Sequence, residues 1–272
     1  MRTWLFAPGH EPRKVEKALA GDADMVVLDW EDAVPPAEKS IARRVTLEAL
    51  AGRKPPELRH VAVRVNQPSG EHYAADRDAL ADLLLGAIMV PKVEKVAQAR
   101  EVAELEVPLV LLLESARGIE RAFDLAHAHP WVRWLAFGPL DLLADIGGHW
   151  TPEGEETSYA RQLVPIAARA ARLRGALDGP WPQLRDLDGL RADTARGRRM
   201  GYAGRIVIHP AQVGVVRQVF APSPDELAYA KKVVEAARRA TEEGRGAIAV
   251  DGRFVDPPVV RWAEGVVRSG EE

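Results

Sequence analysis

Short runs rich in Val, Ile and Leu recur along the chain, each followed by a longer amphipathic stretch of Ala, Glu, Arg and Leu. The runs are "TWLFAPG" (3–9), "DMVVLD" (24–29), "HVAVRVN" (60–66), "AIMVPK" (87–92), "PLVLLLES" (108–115), "WLAFGP" (134–139), "GALDGP" (175–180) and "RIVIHP" (205–210). Several are apolar at successive positions instead of alternating, the pattern of parallel strands covered on both faces. Between them "EPRKVEKALA", "VAQAREVAEL" and "DLDGLRADTARGRRM" read as helices. Eight such units within about 220 residues predict an α/β fold, a (β/α)8 TIM barrel. An open doubly wound sheet is the alternative. Against it, neither G-x-G-x-x-G nor G-x-x-x-x-G-K-[ST] follows the first strand.

Beyond this repeat the pattern changes. One long helix is predicted over 223–244, with Asp225 and Glu226 in its first turn and its basic residues later, as the helix dipole favours. The tail "GRGAIAVDGRFVDPPVV" predicts a short hairpin turning at Asp-Gly. We therefore expect a barrel over 1–222 and a C-terminal helix with a lid-like tail over 223–272.

Composition narrows the possibilities. The 272 residues are 47% hydrophobic, enough for a large core, and the net charge of -3 with scattered Lys and Arg gives no footprint for nucleic acid. There is no cysteine, which excludes disulfides, thiolate metal sites and cysteine nucleophiles. "MRTWLFAPGH" is too short for a signal h-region, and no apolar run approaches the roughly 18 residues needed to span a bilayer. A soluble, cytoplasmic protein is expected, without membrane or nucleic-acid partners.

A barrel places its chemistry at the C-terminal ends of its strands. There the sequence sets Asp29, Glu31 and Asp32 (strand two), Arg64 and Asn66 (three), Lys92 (four), Glu114 (five), Asp141 in "GPLD" (six), Asp178 (seven) and His209 (eight). Each alone has a structural reading as a cap or a surface pair, but such accidents need not choose the same end of every strand. Carboxylates converging on one mouth repel unless a cation shares their charge. Without cysteine and with one strand-end histidine the ligands would be oxygens, favouring Mg2+ or Mn2+. Arg64 would then suit a substrate carboxylate, gripped by two parallel hydrogen bonds.

Taken together, "RTWLFAPGHEPRKVEKALAGDADMVVLDWEDAVPPAEK", "VRVN", "VPKVE", "LLLESARG", "LAFGPLDL", "ALDG", "IVIHPAQV", "FAPSPDEL" and "VDGRFVDPPVV" resemble the citrate lyase beta-subunit family. That family belongs to the phosphoenolpyruvate/pyruvate-type barrels, with the malyl-CoA lyases and the HpcH/HpaI aldolases. The resemblance implies a homotrimeric barrel that uses Mg2+ to make or break a carbon-carbon bond between an acyl-thioester enolate and a small 2-keto acid such as oxaloacetate. The thioester would be carried on CoA or on an acyl carrier protein.

By position it implies Glu114 and Asp141 as metal ligands and Arg64 as the carboxylate clamp. Gly138 would be a backbone donor to the keto acid, and Glu31 and Asp32 would hold metal-bound waters. Asp256, from the tail of an adjacent subunit, would be the catalytic acid, with Asp251 as the lesser candidate. The sequence departs from the family pattern at Trp30, Leu140 and Arg205. The readings to separate are a stand-alone lyase or synthase, a subunit active only in a citrate lyase complex, and a keto-acid-binding barrel without turnover.

Overall fold

Eight parallel strands, β1 (Thr3–Pro8), β2 (Met25–Asp29), β3 (Val61–Arg64), β4 (Ala87–Val90), β5 (Leu109–Leu113), β6 (Val132–Phe137), β7 (Gly175–Asp178) and β8 (Gly204–Val207), close in sequence order into a barrel. Closure is made where Thr3, Trp4 and Leu5 of β1 pair with Arg205, Ile206 and Val207 of β8. All eight expected strands are present, and helices follow or link them. The computed structural model describes residues 1–242, 244 and 248–271. Residues 243 and 245–247, at the end of the predicted long helix and the start of the tail, lie outside the described residues.

The strands are buried on both faces, as their apolar runs demand. Their period of two divides each strand between the barrel interior and the helical layer. Trp4, Met25, Val27, Ala62, Ala87, Met89, Val110, Leu112, Trp134, Ala136 and Ile206 share the interior cluster. Trp4 and Trp134 meet edge to face at 5.8 Å, and the small Ala62, Ala87 and Ala136 leave them room. Truncating a tryptophan here to alanine would cost about 3–5 kcal/mol. Counting on by twos from this layer reaches Asp29 on β2, Arg64 on β3, Glu114 after β5 and Gly138 after β6. The same periodicity that packs the core thus carries these four positions to the mouth.

The chain divides into two compact units, Met1–Arg217 and Gln218–Glu272. In the second, the helices Pro224–Glu242 and Pro257–Glu271 pack through Ala230, Val233, Ala263 and Val266, with Val250 and Val255 of a hairpin joining the same cluster. The hairpin pairs β9 (Ile248–Val250) with β10 (Arg253–Val255). Asp251 and Gly252 form its two-residue turn with φ of 48° and 74°, the doubly positive conformation that Asp-Gly adopts readily. No helix among the described residues is long and apolar enough to cross a membrane.

Candidate active site

Three carboxylates crowd the end of β2, and the protein supplies their counter-charges itself. Arg64 donates from Nε and Nη2 to the two oxygens of Asp29, both at 2.6 Å, and its Nη1 stands 3.1 Å from Glu31. Asp29 also accepts the amides of Glu31 and Ala33 at 2.9 and 3.0 Å, which shapes the turn after the strand. Lys92 Nζ bonds Glu31 and lies 3.0 Å from both oxygens of Asp32. From below, buried Lys39 donates to the carbonyls of Trp30 and Glu31 at 2.8 and 2.7 Å. At the end of β2 the crowding is thus offset by Arg64 and Lys92, whose opposite charges lie within about 3 Å of the carboxylates and outweigh the repulsion.

These contacts set the protonation states. Burial works against charge on Arg64, but Asp29, then Glu31 and Glu114, more than offset it and raise its pKa. Burial likewise opposes the charge on Lys92, and Glu31 and Asp32 reverse the effect, so its pKa is raised. Glu31 is shifted upward by burial despite Arg64 and Lys92. Asp32 is shifted downward, its burial outweighed by its contacts with Glu31 and Lys92.

Glu114 is different. It is 3% exposed, and burial, together with the charge of Asp141, pushes its pKa up to about 8. Its Oε1 accepts the Lys92 amide at 2.8 Å; among the described residues neither its Oε2 nor the Asp141 carboxylate has a hydrogen-bond or ion-pair partner. Both residues line a cavity of about 140 Å³ at the C-terminal end of the barrel, together with Arg64, Phe6, Gly138 and Leu140.

Two adjoining carboxylates, one buried with a free oxygen, fit a hard divalent cation that takes one or two carboxylates and keeps other positions for water or ligand. Among the described residues no group of three His, Asp or Glu side chains forms a fuller cage.

Gly138 lines this cavity, but not as the expected donor. Its amide is spent on Leu113 O at 3.0 Å. Its contribution is space, since a Cβ there would lie 2.4 Å from Glu114 Cβ and 2.7 Å from Oε2. Gly138 precedes the helix Pro139–Ile146, whose first free amides are those of Leu140 and Asp141, as Pro139 has none. Arg64 also lines the cavity, with its planar face over Phe6 at 5.0 Å. The two-pronged grip expected for a substrate carboxylate is closed on Asp29, and Nη1 stands against Glu31.

Other strand-end residues go elsewhere. Asp178 follows inward-facing Leu177 and so turns outward, where it and Asp193 bind Arg161 and Arg205 in a buried network. Arg205, 2% exposed, belongs to that network and not to the mouth. Asn66 joins Asp76, which also holds Arg43. His209 is exposed and accepts the Ala211 amide.

Trp30 is buried under the helix Lys39–Leu50, its Nε1 bonded to Thr46 at 2.9 Å. Leu140 is 41% exposed on the cavity rim. Asp256 and Asp251 belong to the second unit. There Asp256 Oδ1 accepts the Val259 amide at the start of a helix, and Asp251 pairs with Lys232 at 2.8 Å.

Sequence reasoning gave no role to Lys92 and did not single out Lys39, although "VPK" and "PPAEK" placed both beside the cluster. A second cavity of about 340 Å³ was also missed; it shares Phe6 and Ile208 with the first and carries Lys14, Lys17 and His209.

Known proteins share this arrangement of chain. A citrate lyase subunit beta-like protein of Deinococcus radiodurans is 37% identical over 97% of this chain and 95% of its own length. A (3S)-malyl-CoA thioesterase of Cereibacter sphaeroides is 37% identical over 94% of this chain and 89% of its own. The CitE protein of Mycobacterium tuberculosis, crystallised with magnesium, acetoacetate and coenzyme A, superposes with a TM-score of 0.88 at 34% identity, covering 100% of this chain and 98% of that one. The family model described as HpcH/HpaI aldolase/citrate lyase matches residues 2–210, the whole barrel with its polar mouth. By that match and by relatives above 30% identity along nearly its full length, the chain belongs to the HpcH/HpaI aldolase/citrate lyase family.

Proposed function

We propose that the protein is a Mg2+-dependent carbon-carbon lyase or synthase that joins a thioester enolate to a small 2-keto acid, or parts the product again. The observation that carries this is the buried Glu114 beside Asp141 in a cavity also lined by Arg64. Glu114 and Asp141 would hold the cation, and Glu31 and Asp32, fixed by Lys92, would orient waters around it. Bound there, Mg2+ supplies a Lewis acid for the keto oxygen. Arg64, which lines the same cavity and is fixed by Asp29, adds a positive charge there, useful because negative charge grows on that oxygen as the new bond forms.

In condensation a base removes the proton beside the thioester carbonyl, the enolate carbon attacks the keto carbon, and the resulting alkoxide takes a proton. Cleavage runs the same steps backwards. Asp256, from the tail of an adjacent subunit in a trimer, is our choice for the group that exchanges the carbon-bound proton. The adjoining cavity, with Lys14, Lys17 and His209, suits the phosphates of a CoA thioester. The CitE protein's complex with magnesium, acetoacetate and coenzyme A supports a metal ion and a CoA thioester as the ligands of this reading.

A second reading is thioester hydrolysis, favoured by the similarity to the (3S)-malyl-CoA thioesterase. Incubating the purified chain with Mg2+ and a panel of 3-hydroxyacyl-CoA thioesters, and identifying the products, separates the readings. Keto acid with a shortened acyl-CoA supports the lyase; free CoA with the intact hydroxy acid supports the thioesterase. Turnover only with an acyl carrier protein marks a subunit of a citrate lyase complex, and keto-acid binding without turnover marks a non-catalytic barrel.

A further inference from the structure

The parallel register sets three strand ends abreast. Leu113 of β5 pairs with Phe137 of β6, and Ala136 of β6 with Leu177 of β7, so counting on brings Glu114, Gly138 and Gly179 side by side. The two glycines leave room that their neighbours fill. A Cβ on Gly138 would strike Glu114, and a Cβ on Gly179 would lie 2.3 and 2.7 Å from Cδ and Cγ of Pro139 and 3.0 Å from Phe137 O. Pro139 is buried and opens the helix Pro139–Ile146, whose first turn carries Asp141. The start of that helix is therefore wedged, with Glu114 against Gly138 on one side and Gly179 against the Pro139 ring on the other.

We propose that Gly179 is a positioning residue for the carboxylate pair: by letting the end of β7 close onto the Pro139 ring, it fixes where the helix presents Asp141 beside Glu114. The proposal rests on the reading of Glu114 and Asp141 as the ligands of a divalent cation and deepens it. Gly179 does not line the cavity beside Glu114 and acts through Pro139, which does.

Neither side of this contact yields easily. The pyrrolidine ring is rigid. The Gly179 amide donates to Asp178 Oδ1 at 3.0 Å, and the Asp178 carboxylate is held in turn by Arg161 Nε and Nη2 at 3.0 and 2.5 Å. An added methyl group must therefore push the helix start, and Asp141 moves with it. A close-packed interior spreads such a shift over many contacts, but Mg2+ demands near-ideal octahedral geometry with oxygens at about 2.0–2.1 Å, so the same shift falls heavily on its affinity.

Calorimetric titration of the full chain with Mg2+, with thermal melts alongside, tests this. Gly179→Ala should weaken Mg2+ binding about 10- to 100-fold, the usual cost of disturbing what orients a metal ligand. Gly175→Ala is the control: at the other end of the same strand its Cβ would lie 2.7 Å from Ala203 Cβ and 2.9 Å from Trp134, so it should lower the melting temperature and leave Mg2+ affinity unchanged. Pro139→Ala removes the ring atoms that Gly179 meets, so adding Gly179→Ala to it should cost little further affinity. That comparison decides the matter should Gly179→Ala alone not fold. Wild-type affinity in Gly179→Ala, an equal loss in Gly175→Ala, or a Gly179→Ala effect as large without the proline ring as with it overturns the proposal while leaving the cation reading in place. A wild-type chain that takes up no Mg2+ overturns that reading and this proposal with it.

Discussion

The amide of Lys92 donates to Glu114 Oε1 at 2.8 Å from a left-handed backbone conformation, φ 51°. One residue therefore holds the buried carboxylate with its main chain and the Glu31–Asp32 pair with its ammonium. Such a conformation costs a non-glycine residue about 1 kcal/mol and persists where its surroundings demand it.

Lys92→Gly separates the two contributions, because glycine keeps the conformation and the amide but loses the charge. We expect chemical denaturation at neutral pH to show a loss of about 1–3 kcal/mol, the usual cost of taking a charged hydrogen-bond partner from a buried carboxylate, here Glu31. Mg2+ affinity should change only a few-fold. A variant as stable as the wild type would show that Arg64 alone satisfies Glu31.

Gly138→Ala puts a methyl group 2.7 Å from Glu114 Oε2 and 2.4 Å from its Cβ. The glutamate must move, and overpacking of this kind costs about 1–3 kcal/mol. The expected signature is a large loss of Mg2+ affinity by calorimetry alongside a modest loss of thermal stability. Unchanged affinity would argue that Oε2 takes no part in holding the ion.

Burial and the charge of Asp141 raise the pKa of Glu114 from 4.5 to about 8. Between those values the cation-free folded protein keeps a proton that the unfolded chain has released, so its stability falls as pH rises through the window, by an amount on the order of a few kcal/mol. Glu114→Gln should remove most of that slope in denaturation curves taken from pH 4.5 to 8 without added metal. In the same window, loading the wild type with Mg2+ should release close to one proton, measurable in buffers of different ionisation heat.

Asp193 bonds Arg161 and Arg205 at 2.7 and 2.6 Å in the buried network behind β7 and β8. Asp193→Ala leaves two buried guanidinium groups to share Asp178 alone and should destabilise the fold by about 3–5 kcal/mol. The effect should appear in the melting temperature, with the kcat of the surviving folded fraction little changed.

Asp256→Asn tests the tail. Asparagine caps a helix as well as aspartate does, so the Val259 contact and the melting temperature should be kept. If the tail supplies the proton-transfer group, kcat should fall by about 10²–10⁴-fold. An unchanged kcat would leave Asp256 as a helix cap.

The eight strands, the helices between them and the Asp-Gly hairpin were legible in the chain, because apolar runs, amphipathic spacing and turn residues are local properties. The gathering of polar residues at one end of the strands was legible for the same reason. What the strand-end reading lacked was parity. Asp29, Arg64 and Glu114 fall on the inward phase of their strands, whereas Asp178, one residue past inward-facing Leu177, falls on the outward phase and is consumed by Arg161 and Arg205. The phase could have been counted from Leu177, but only the closed barrel shows which face is inside.

Partnership is a different matter, since hydrogen-bonding capacity is finite and its allocation depends on residues distant in the chain. The sequence alone determined that acids and an arginine meet at the barrel mouth. Only the tertiary structure decided that Arg64 closes its fork on Asp29, that Lys92 quiets Glu31 and Asp32, and that the Gly138 amide is spent on Leu113. Among the described residues no donor reaches Glu114 Oε2 or the Asp141 carboxylate, while Oε1 accepts the Lys92 amide, an outcome set by three-dimensional proximity and invisible to any local pattern.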